Sequence, residues 1–191
     1  MKQLLKSLLG LFYCKLYGVK YAKYLYVGIG AKLVGGGNIC LSRSVSIMPQ
    51  AMLVSLGGKI EIGEKTEISM YSRVASMGLV KIGNHVLMGP HVFIADYNHE
   101  YHDPTKPIMC QGNRFTPKAD GSPNLMIDDG TWLGTNVVIV GNVHVGKHCV
   151  IGANSVVTKD IPDYSVAAGI PAKVIKRYDF ENEEWVRVLQ S

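Results

Sequence analysis

The chain has 191 residues, enough for one domain with a sizeable core and too few for two of typical size. Lys and Arg number 20 and Asp and Glu 15, giving a formal net charge of +5. The basic residues form no dense stripe with interleaved aromatic residues, so we expect no nucleic-acid partner. The four cysteines lie far apart, without the paired spacing of a zinc site or a disulfide framework. We therefore expect reduced thiols in a cytoplasmic protein that requires no metal.

Residues 1–26 are predicted to form an N-terminal helical segment. Leucines cluster there and lysines interrupt them, as in one amphipathic, basic helix or two short ones. The apolar run is too short for a membrane span, and it lacks the small-residue cleavage site of a signal peptide. Two interpretations stay open. Residues 1–24 pack on the body of the protein or at the subunit interface, or they contact the anionic inner face of a membrane.

Residues 27–180 carry a six-residue repeat, which is the main signal in the sequence. A period of six fits neither an α-helix nor a hairpin, but it fits a coil with three flat faces and about 18 residues per turn. The pattern predicts an all-β, parallel β-helix of about five coils, with inward residues stacked at the spacing of paired strands and glycines at the bends. The inward positions are Ile39, Val45, Ala51, Ile62, Ile68, Val74, Ile82, Met88, Ile94, Ile127, Leu133, Ile139, Val145, Ile151 and Val157.

The repeat is interrupted by residues 95–126, which are predicted to protrude as a loop. Long excursions from a regular solenoid are usually functional, and they map to the binding face. After residue 162 the chain is expected to run back along the coils, and residues 181–191 are expected to form a short C-terminal helix. A three-sided coil has three similar faces and the loop has to rest on a neighbour, so we expect a homotrimer with a shared active site.

Two stretches resemble a known family: GPHVFIADYNHEYHDP, and IDDGTWLGTNVVIVGNVHVGKHCVIGANSVVTKDIPDYSVAAGIPAKVIKR. They are similar to hexapeptide-repeat acetyltransferases of the maltose and galactoside acetyltransferase type, and closer still to bacterial surface-polysaccharide O-acetyltransferases. The resemblance covers residues 55–178. It implies a left-handed coil, acetyl-CoA as co-substrate, and a sugar or polysaccharide precursor, free or lipid-linked, as acceptor.

In that family a loop histidine removes the proton from the acceptor hydroxyl, and the matching residue here is His99. A sugar hydroxyl is a poor nucleophile at neutral pH, so the enzyme mainly needs a base such as histidine. His102, on the same loop, is the rival candidate. Asp96, Glu100 or a backbone carbonyl could orient the imidazole of His99.

The resemblance also implies the cofactor site. The backbone N–H of Thr135 would stabilise the oxyanion of the tetrahedral intermediate. The cofactor would then lie along a strip of residues from its pantetheine arm to its phosphates, namely Trp132, Gly134, Gly152, Ala153, Thr158, Lys159, Lys173 and Lys176.

Three other functions stay open from the sequence. The first is an N-acetyltransferase that acts on an amino sugar or a nucleotide-linked amino sugar. The second is a carbonic anhydrase of the γ class, which would need three histidines converging on zinc. The pairs His85/His91 and His144/His148 have the wrong spacing for it. The third is a non-catalytic binding protein.

Overall fold

The computed structural model describes residues 10–188. Residues 10–16 are helical, and Cys14 of this helix packs into the core at the N-terminal end of the molecule. From residue 20 the chain winds into a left-handed parallel β-helix with three faces, as the sequence predicted. Residues 1–9 of the expected N-terminal helix lie outside the described residues.

The first face contains β1 (Lys20–Tyr21), β4 (Ile39–Leu41), β7 (Lys59–Ile62), β10 (Leu79–Ile82), β15 (Leu125–Ile127) and β18 (His144–Val145). The second face contains β2 (Tyr26–Val27), β5 (Ser46–Ile47), β8 (Glu67–Ile68), β11 (Leu87–Met88), β16 (Trp132–Leu133), β19 (Val150–Ile151), β21 (Ser165–Gly169), β22 (Ala172–Asp179) and β23 (Glu184–Arg187). The third face contains β3 (Lys32–Val34), β6 (Met52–Ser55), β9 (Arg73–Ser76), β12 (Phe93–Ala95), β17 (Val138–Val140) and β20 (Val156–Val157).

Each coil runs from the first face to the second and then to the third. We call the bend between the first and second faces the first corner, the bend between the second and third faces the second corner, and the bend that returns to the first face the third corner. Outside the three faces lie an antiparallel hairpin, β13 (Asn98–His99) and β14 (Asn113–Arg114), and two 3-10 turns, Gly36–Asn38 and Ile108–Cys110.

The core is a stack of the inward side chains of successive coils. Every aliphatic position predicted from the six-residue period is buried, from Ile39 to Val157. A second inward position lies two residues before each strand-end aliphatic residue, and it is filled by smaller side chains such as Thr131, Val137 and Cys149, all buried. Parallel hydrogen bonding along all three faces joins these layers into one core.

The coils are more numerous and less uniform than the sequence predicted. Six complete coils and part of a seventh are present, because the expected helical segment gives way to strand at residue 20. Only the late coils have the expected length, with Ile127 and Val145 paired 18 positions apart. Ile62 and Ile82 are 20 positions apart, and Leu41 and Ile62 are 21. The additional residues lie at the third corner, where the chain therefore tolerates insertion.

The glycines that follow the inward aliphatic residues serve a different purpose from the one expected. At the first and second corners, the left-handed backbone conformation occurs three positions after the aliphatic residue, usually at a side chain larger than glycine, as at His85 (φ 55°) and Asn136 (φ 59°). Glycine is needed earlier in the bend because successive coils approach closely. A Cβ atom on Gly63 would lie 2.4 Å from the carbonyl carbon of Gly83.

The C-terminal helix expected over residues 181–191 is wrong over the part that the structure describes, residues 181–188. Strand β23 folds back on β22 as an antiparallel hairpin, with Tyr178 opposite Trp185 and their rings packed edge to face at 5.3 Å. The exposed edge of β22 offers hydrogen bonds that such a short helix, marginal by itself, cannot match. The solenoid therefore ends in antiparallel strands.

Candidate active site

The loop leaves the third corner at Asp96, directly after β12. Asp96 is only 2% exposed, and its carboxylate accepts hydrogen bonds from the hydroxyl of Ser76 (2.9 Å) and the backbone N–H groups of Met77 (2.8 Å) and Gly78 (2.9 Å). Both of its oxygens are therefore engaged with the previous coil. Asp96 anchors the base of the loop and makes no hydrogen bond to His99.

His99 lies on the loop hairpin, opposite Asn113. Its backbone N–H donates to Oδ1 of Asn98 at 2.8 Å, which fixes the local turn. The side chain is exposed, and within residues 10–188 its imidazole has no hydrogen-bond partner. Both ring nitrogens are therefore open to a substrate.

His102, the rival base, has a ring that is already held. Its Nδ1 lies 3.0 Å from Oε1 of Glu100, an oxygen that also accepts the backbone N–H groups of Tyr101 (2.8 Å) and His102 (3.0 Å). The hydrogen bond from Tyr101 and then the side chain of His102 lower the pKa of Glu100. Glu100 is thus committed to His102, so neither predicted carboxylate orients His99 in this conformation.

The second corner is narrow where the cofactor strip was predicted. A Cβ atom on Gly134 would lie 2.6 Å from the backbone nitrogen of Ala153, and one on Gly152 would lie 3.0 Å from Cβ of Ala168. Three stacked coils therefore meet here with almost no side chain between them. A thin, extended ligand can approach the backbone directly.

Two backbone N–H groups of adjacent coils at this corner are not capped by any group among residues 10–188. At the first corner, the N–H two positions after the aliphatic residue donates to a side chain of the next coil, from Asn84 to Asp129 at 2.7 Å and from Lys147 to Asp163 at 3.0 Å. The equivalent N–H groups of Thr135 and Ala153 have no acceptor among residues 10–188. The second corner therefore presents two free donors in adjacent coils, about 4.8 Å apart.

Two of the predicted cofactor residues belong to an outward column on the second face. The strand register aligns Trp132 with Val150, Val166 and Lys176 in turn. At about 4.8 Å per strand, Trp132 and Lys176 are separated by roughly 14 Å. Lys173 lies opposite Ala168, at the end of β22 nearest the second corner. The half-exposed indole of Trp132 and two ammonium groups thus line one strip beside the free N–H groups.

Three predicted residues lie elsewhere in the same chain. Thr158 and Lys159 follow β20 and so occupy the third corner, as does the loop that carries His99. The strands of the third face separate this corner from Thr135 by roughly 20 Å, six residues of extended chain. A single chain therefore does not bring His99 to the oxyanion donor.

A cavity that the sequence did not indicate lies between the loop and the fifth coil. Its volume is about 280 Å³, and it adjoins the hairpin of His99. The pairing of β13 with β14 brings Arg114 to its wall, and no periodic signal in the sequence predicts that pairing. Its lining is Asp96, Tyr97, Asn98, Tyr101, Arg114, Phe115, Thr116, Val140, Gly141 and Asn142.

The remaining histidines of the described chain lie at bends or on the surface. His91 stacks on Tyr71 with ring centroids 5.1 Å apart, and His148 stacks on Tyr164 at 5.5 Å. Nε2 of His144 lies 2.7 Å from Oδ2 of Asp128. Within residues 10–188 no three His, Cys, Asp or Glu side chains are grouped as ligands for a metal ion. The same part of the chain has no helix long and apolar enough to cross a bilayer.

Comparison with known proteins supports this interpretation of the repeats. Residues 124–159 match the family model of the bacterial transferase hexapeptide (six repeats). The chain is 34% identical over 128 residues to the putative lipopolysaccharide biosynthesis O-acetyl transferase WbbJ of Escherichia coli (strain K12), covering 67% of this chain and 65% of that protein. It is 32% identical over 131 residues to the galactoside O-acetyltransferase of the same organism, covering 69% and 60%. The chain thus spans less than two thirds of the length of either relative.

A solved structure supports the fold. AntD, an N-acyltransferase from Bacillus cereus in complex with dTDP and 3-hydroxybutyryl-CoA, superposes with a TM-score of 0.74 over 90% of each chain, at 19% sequence identity. Such a likeness at this identity is evidence for the fold. Together, the comparisons confirm that the chain is a hexapeptide-repeat β-helix that resembles the hexapeptide-repeat acetyltransferases in sequence.

Proposed function

We propose that this chain transfers the acetyl group of acetyl-CoA to a hydroxyl group of a sugar or polysaccharide precursor. The observation that carries the proposal is the pair of N–H groups of Thr135 and Ala153, uncapped within residues 10–188, beside glycines that let the coils approach closely. A pantetheine arm is thin and carries amides, so it fits such an edge. Trp132 would pack against the arm, and Lys173 and Lys176 would bind the phosphates through charge-assisted hydrogen bonds.

In the proposed reaction, an open ring nitrogen of His99 takes the proton of the acceptor hydroxyl as its oxygen attacks the thioester carbonyl. The N–H of Thr135 donates to the oxyanion that forms, an interaction of about 3–4 kcal/mol in comparable sites. The tetrahedral intermediate then collapses and expels the CoA thiolate, which recovers the proton from the imidazolium. The new ester bond remains on the acceptor, and His99 is neutral again.

We further propose that the protein is a homotrimer with its sites between chains. Apart from Lys32 and Arg73, the third face is apolar on its outer side, and Val54, Ala75 and Ala95 form a second buried cluster there, flanked by Met52 and Phe93. If three prisms turn this face towards a common axis, the second corner of each meets the third corner of the next. His99, Thr158 and Lys159 of one chain would then complete the strip of its neighbour.

Transfer to an amino group is the second candidate. It uses the same donor, base and oxyanion donor, and AntD is an N-acyltransferase of this fold. The test is a coupled assay of CoA release from acetyl-CoA with panels of neutral sugars, lipid-linked sugars and amino sugars, followed by mass spectrometry of the products. We expect a mass gain of one acetyl group as an ester, removable by mild alkali. Only amide products would favour the second candidate, and no turnover with any acceptor would refute the proposal.

For localisation, we propose a cytoplasmic protein that contacts the inner membrane surface through its N-terminal end. Exposed apolar side chains in this region, such as Phe12, Leu16 and Tyr24, alternate with Lys15 and Lys23. A basic, aromatic surface of this kind binds anionic lipid. We expect the protein to sediment with phosphatidylglycerol vesicles and not with phosphatidylcholine vesicles. Equal sedimentation with both, or with neither, would contradict this localisation.

A further inference from the structure

Arg73 is a half-buried arginine without a hydrogen-bond or ion-pair partner in the described part of the chain. It begins β9 on the outer side of the third face, between the side chains of Met52 and Phe93 in the adjacent strands. Its Nε is the only buried side-chain nitrogen or oxygen atom without a hydrogen bond among residues 10–188. Its guanidinium forms no ion pair there either. A buried donor on a charged group is rarely left unsatisfied in a native protein, so an acceptor from outside the chain is expected.

The position of Arg73 indicates which ligand supplies this hydrogen-bond acceptor. Strand register places Arg73 two strands below Val138, about 10 Å along the same column, and Val138 follows the corner of Thr135. The proposed cofactor strip runs in the other direction, from Thr135 towards Lys173. Arg73 therefore lies on the side of the reacting carbonyl from which the sugar substrate, which accepts the acetyl group, has to approach.

A flat aromatic surface lies at the second corner, directly before β9 in the chain. Tyr71 and His91 lie in successive coils at the second corner, both in the left-handed conformation, and their rings stack with an interplanar angle of 9°. Both side chains are exposed. Such a surface can support the apolar face of a sugar ring while the guanidinium fork binds a planar or tetrahedral anion in two places.

We infer that the acceptor carries a fixed negative charge, a phosphate or a carboxylate attached to the sugar, and that Arg73 binds it. This inference rests on the proposed function and narrows its substrate class. It identifies Arg73 as a specificity residue that contacts the acceptor and takes no part in proton transfer. Within residues 10–188, the outward positions of the third face carry no carboxylate that could accept the hydrogen bond of Arg73 in place of a ligand.

The test compares glucose, glucose 1-phosphate and glucuronate as acceptors for the wild type and for Arg73→Gln, Arg73→Lys and Arg43→Gln. Arg43→Gln is the matched control, because Arg43 pairs with Glu64 away from the third face. We expect Arg73→Gln to raise KM for the charged acceptors by about 10- to 100-fold and to leave KM for glucose and acetyl-CoA unchanged. Arg73→Lys should retain part of the preference, since it keeps the charge without the fork. The comparison of glucose 1-phosphate with glucuronate identifies whether a phosphate or a carboxylate is bound.

Binding of glucose 1-phosphate, measured by calorimetry without acetyl-CoA, gives a readout independent of turnover. Equal affinity in the wild type and Arg73→Gln, or acetylation of glucose with no preference for charge, would overturn the inference and leave the proposed function standing. Arg73-dependent binding without any consumption of acetyl-CoA would refute the proposed function alone. Sedimentation that shows Arg73→Gln dissociating into monomers would place the missing acceptor on a neighbouring chain, and would also overturn the inference.

Discussion

At the scale of single residues, the two loop histidines differ in what they already bind. Among the described residues the imidazole of His99 has no hydrogen-bond partner, whereas that of His102 is held by Glu100. We therefore expect His99→Ala to lower turnover by about 10²- to 10⁴-fold with acetyl-CoA affinity nearly unchanged, because the base acts on the acceptor. Single-turnover kinetics together with calorimetry of CoA binding measures both quantities.

His102→Ala is the matched control for this substitution, and it should cost far less because the ring is already engaged with a carboxylate. If His102→Ala proves the more damaging change, the base is His102. If neither variant slows the chemical step, the acetyltransferase proposal is wrong.

The four cysteines are expected to differ in reactivity because two of their thiols are buried and two are exposed. Burial raises the pKa of the Cys14 thiol to about 11, and it also raises that of Cys149. Both stay protonated at pH 8, whereas Cys40 and Cys110 are exposed. Titration with Ellman's reagent at pH 8 should give two fast thiols, and four after denaturation. Four fast thiols in the native protein would contradict the core position of Cys14.

The same shift has a defined effect on stability. The pKa of Cys14 is raised on folding from 9.0, so the unfolded chain loses this proton first as pH rises. The contribution of Cys14 to the free energy of unfolding is therefore complete below about pH 9 and declines as the pH rises towards about 11. Urea midpoints of the wild type should fall over this interval, and those of Cys14→Ala should fall less.

At the scale of elements, the loop is an insertion that leaves the ladder intact. Ile82 pairs with Ile127 as closely as other coils pair, although the two are 45 positions apart. Replacement of residues 97–123 by a short glycine-containing turn should therefore preserve the β-sheet circular dichroism signal and most of the melting temperature. Turnover should be lost, because His99 is removed. A variant that fails to fold would show that the loop is part of the scaffold.

The two ends of the chain show why sequence patterns were less informative there. Val19 and Leu25 are buried in the first coil, yet the lysines and leucines of residues 1–26 indicated a helix. Trp185 and Val188 have helical spacing, but the segment pairs with the free edge of β22. In the middle of the chain the period of six was sufficient, because each inward residue repeats the same environment. The pairing of an edge strand or of a loop hairpin depends on strands that are distant in the sequence. The local spacing of apolar residues therefore does not predict it.

The candidate site was predictable to a similar extent. The sequence identified Thr135, Ala153 and Lys173, and the strand register places them along one strip. It did not indicate that His99 lies across the third face from them, because the period gives no information on which corner a loop leaves. Arg73 had no motif to mark it, and only its missing partner distinguishes it.

At the scale of the whole molecule, the separation of the two corners makes the shared site testable. Mixed trimers of His99→Ala and Trp132→Ala chains should recover activity that neither variant has alone. In a random equal mixture, about one quarter of the interfaces pair an intact His99 with an intact Trp132 of the neighbour. Activity near that fraction of wild type is expected after co-refolding. No recovery, or an active monomer in sedimentation, would place the complete site within one chain.

The position of the loop along the stack has a consequence for local unfolding. A solenoid is held by contacts between neighbouring coils, so it frays from its ends inward, as a one-dimensional chain of cooperative units. Asp96 and Thr135 belong to the fourth and fifth coils, with further coils on both sides. Opening of either terminus therefore has to cross intact coils before it reaches them. Amide hydrogen exchange should be slowest around these two coils. The groups of the proposed site are then expected to keep their spacing while the terminal coils open transiently.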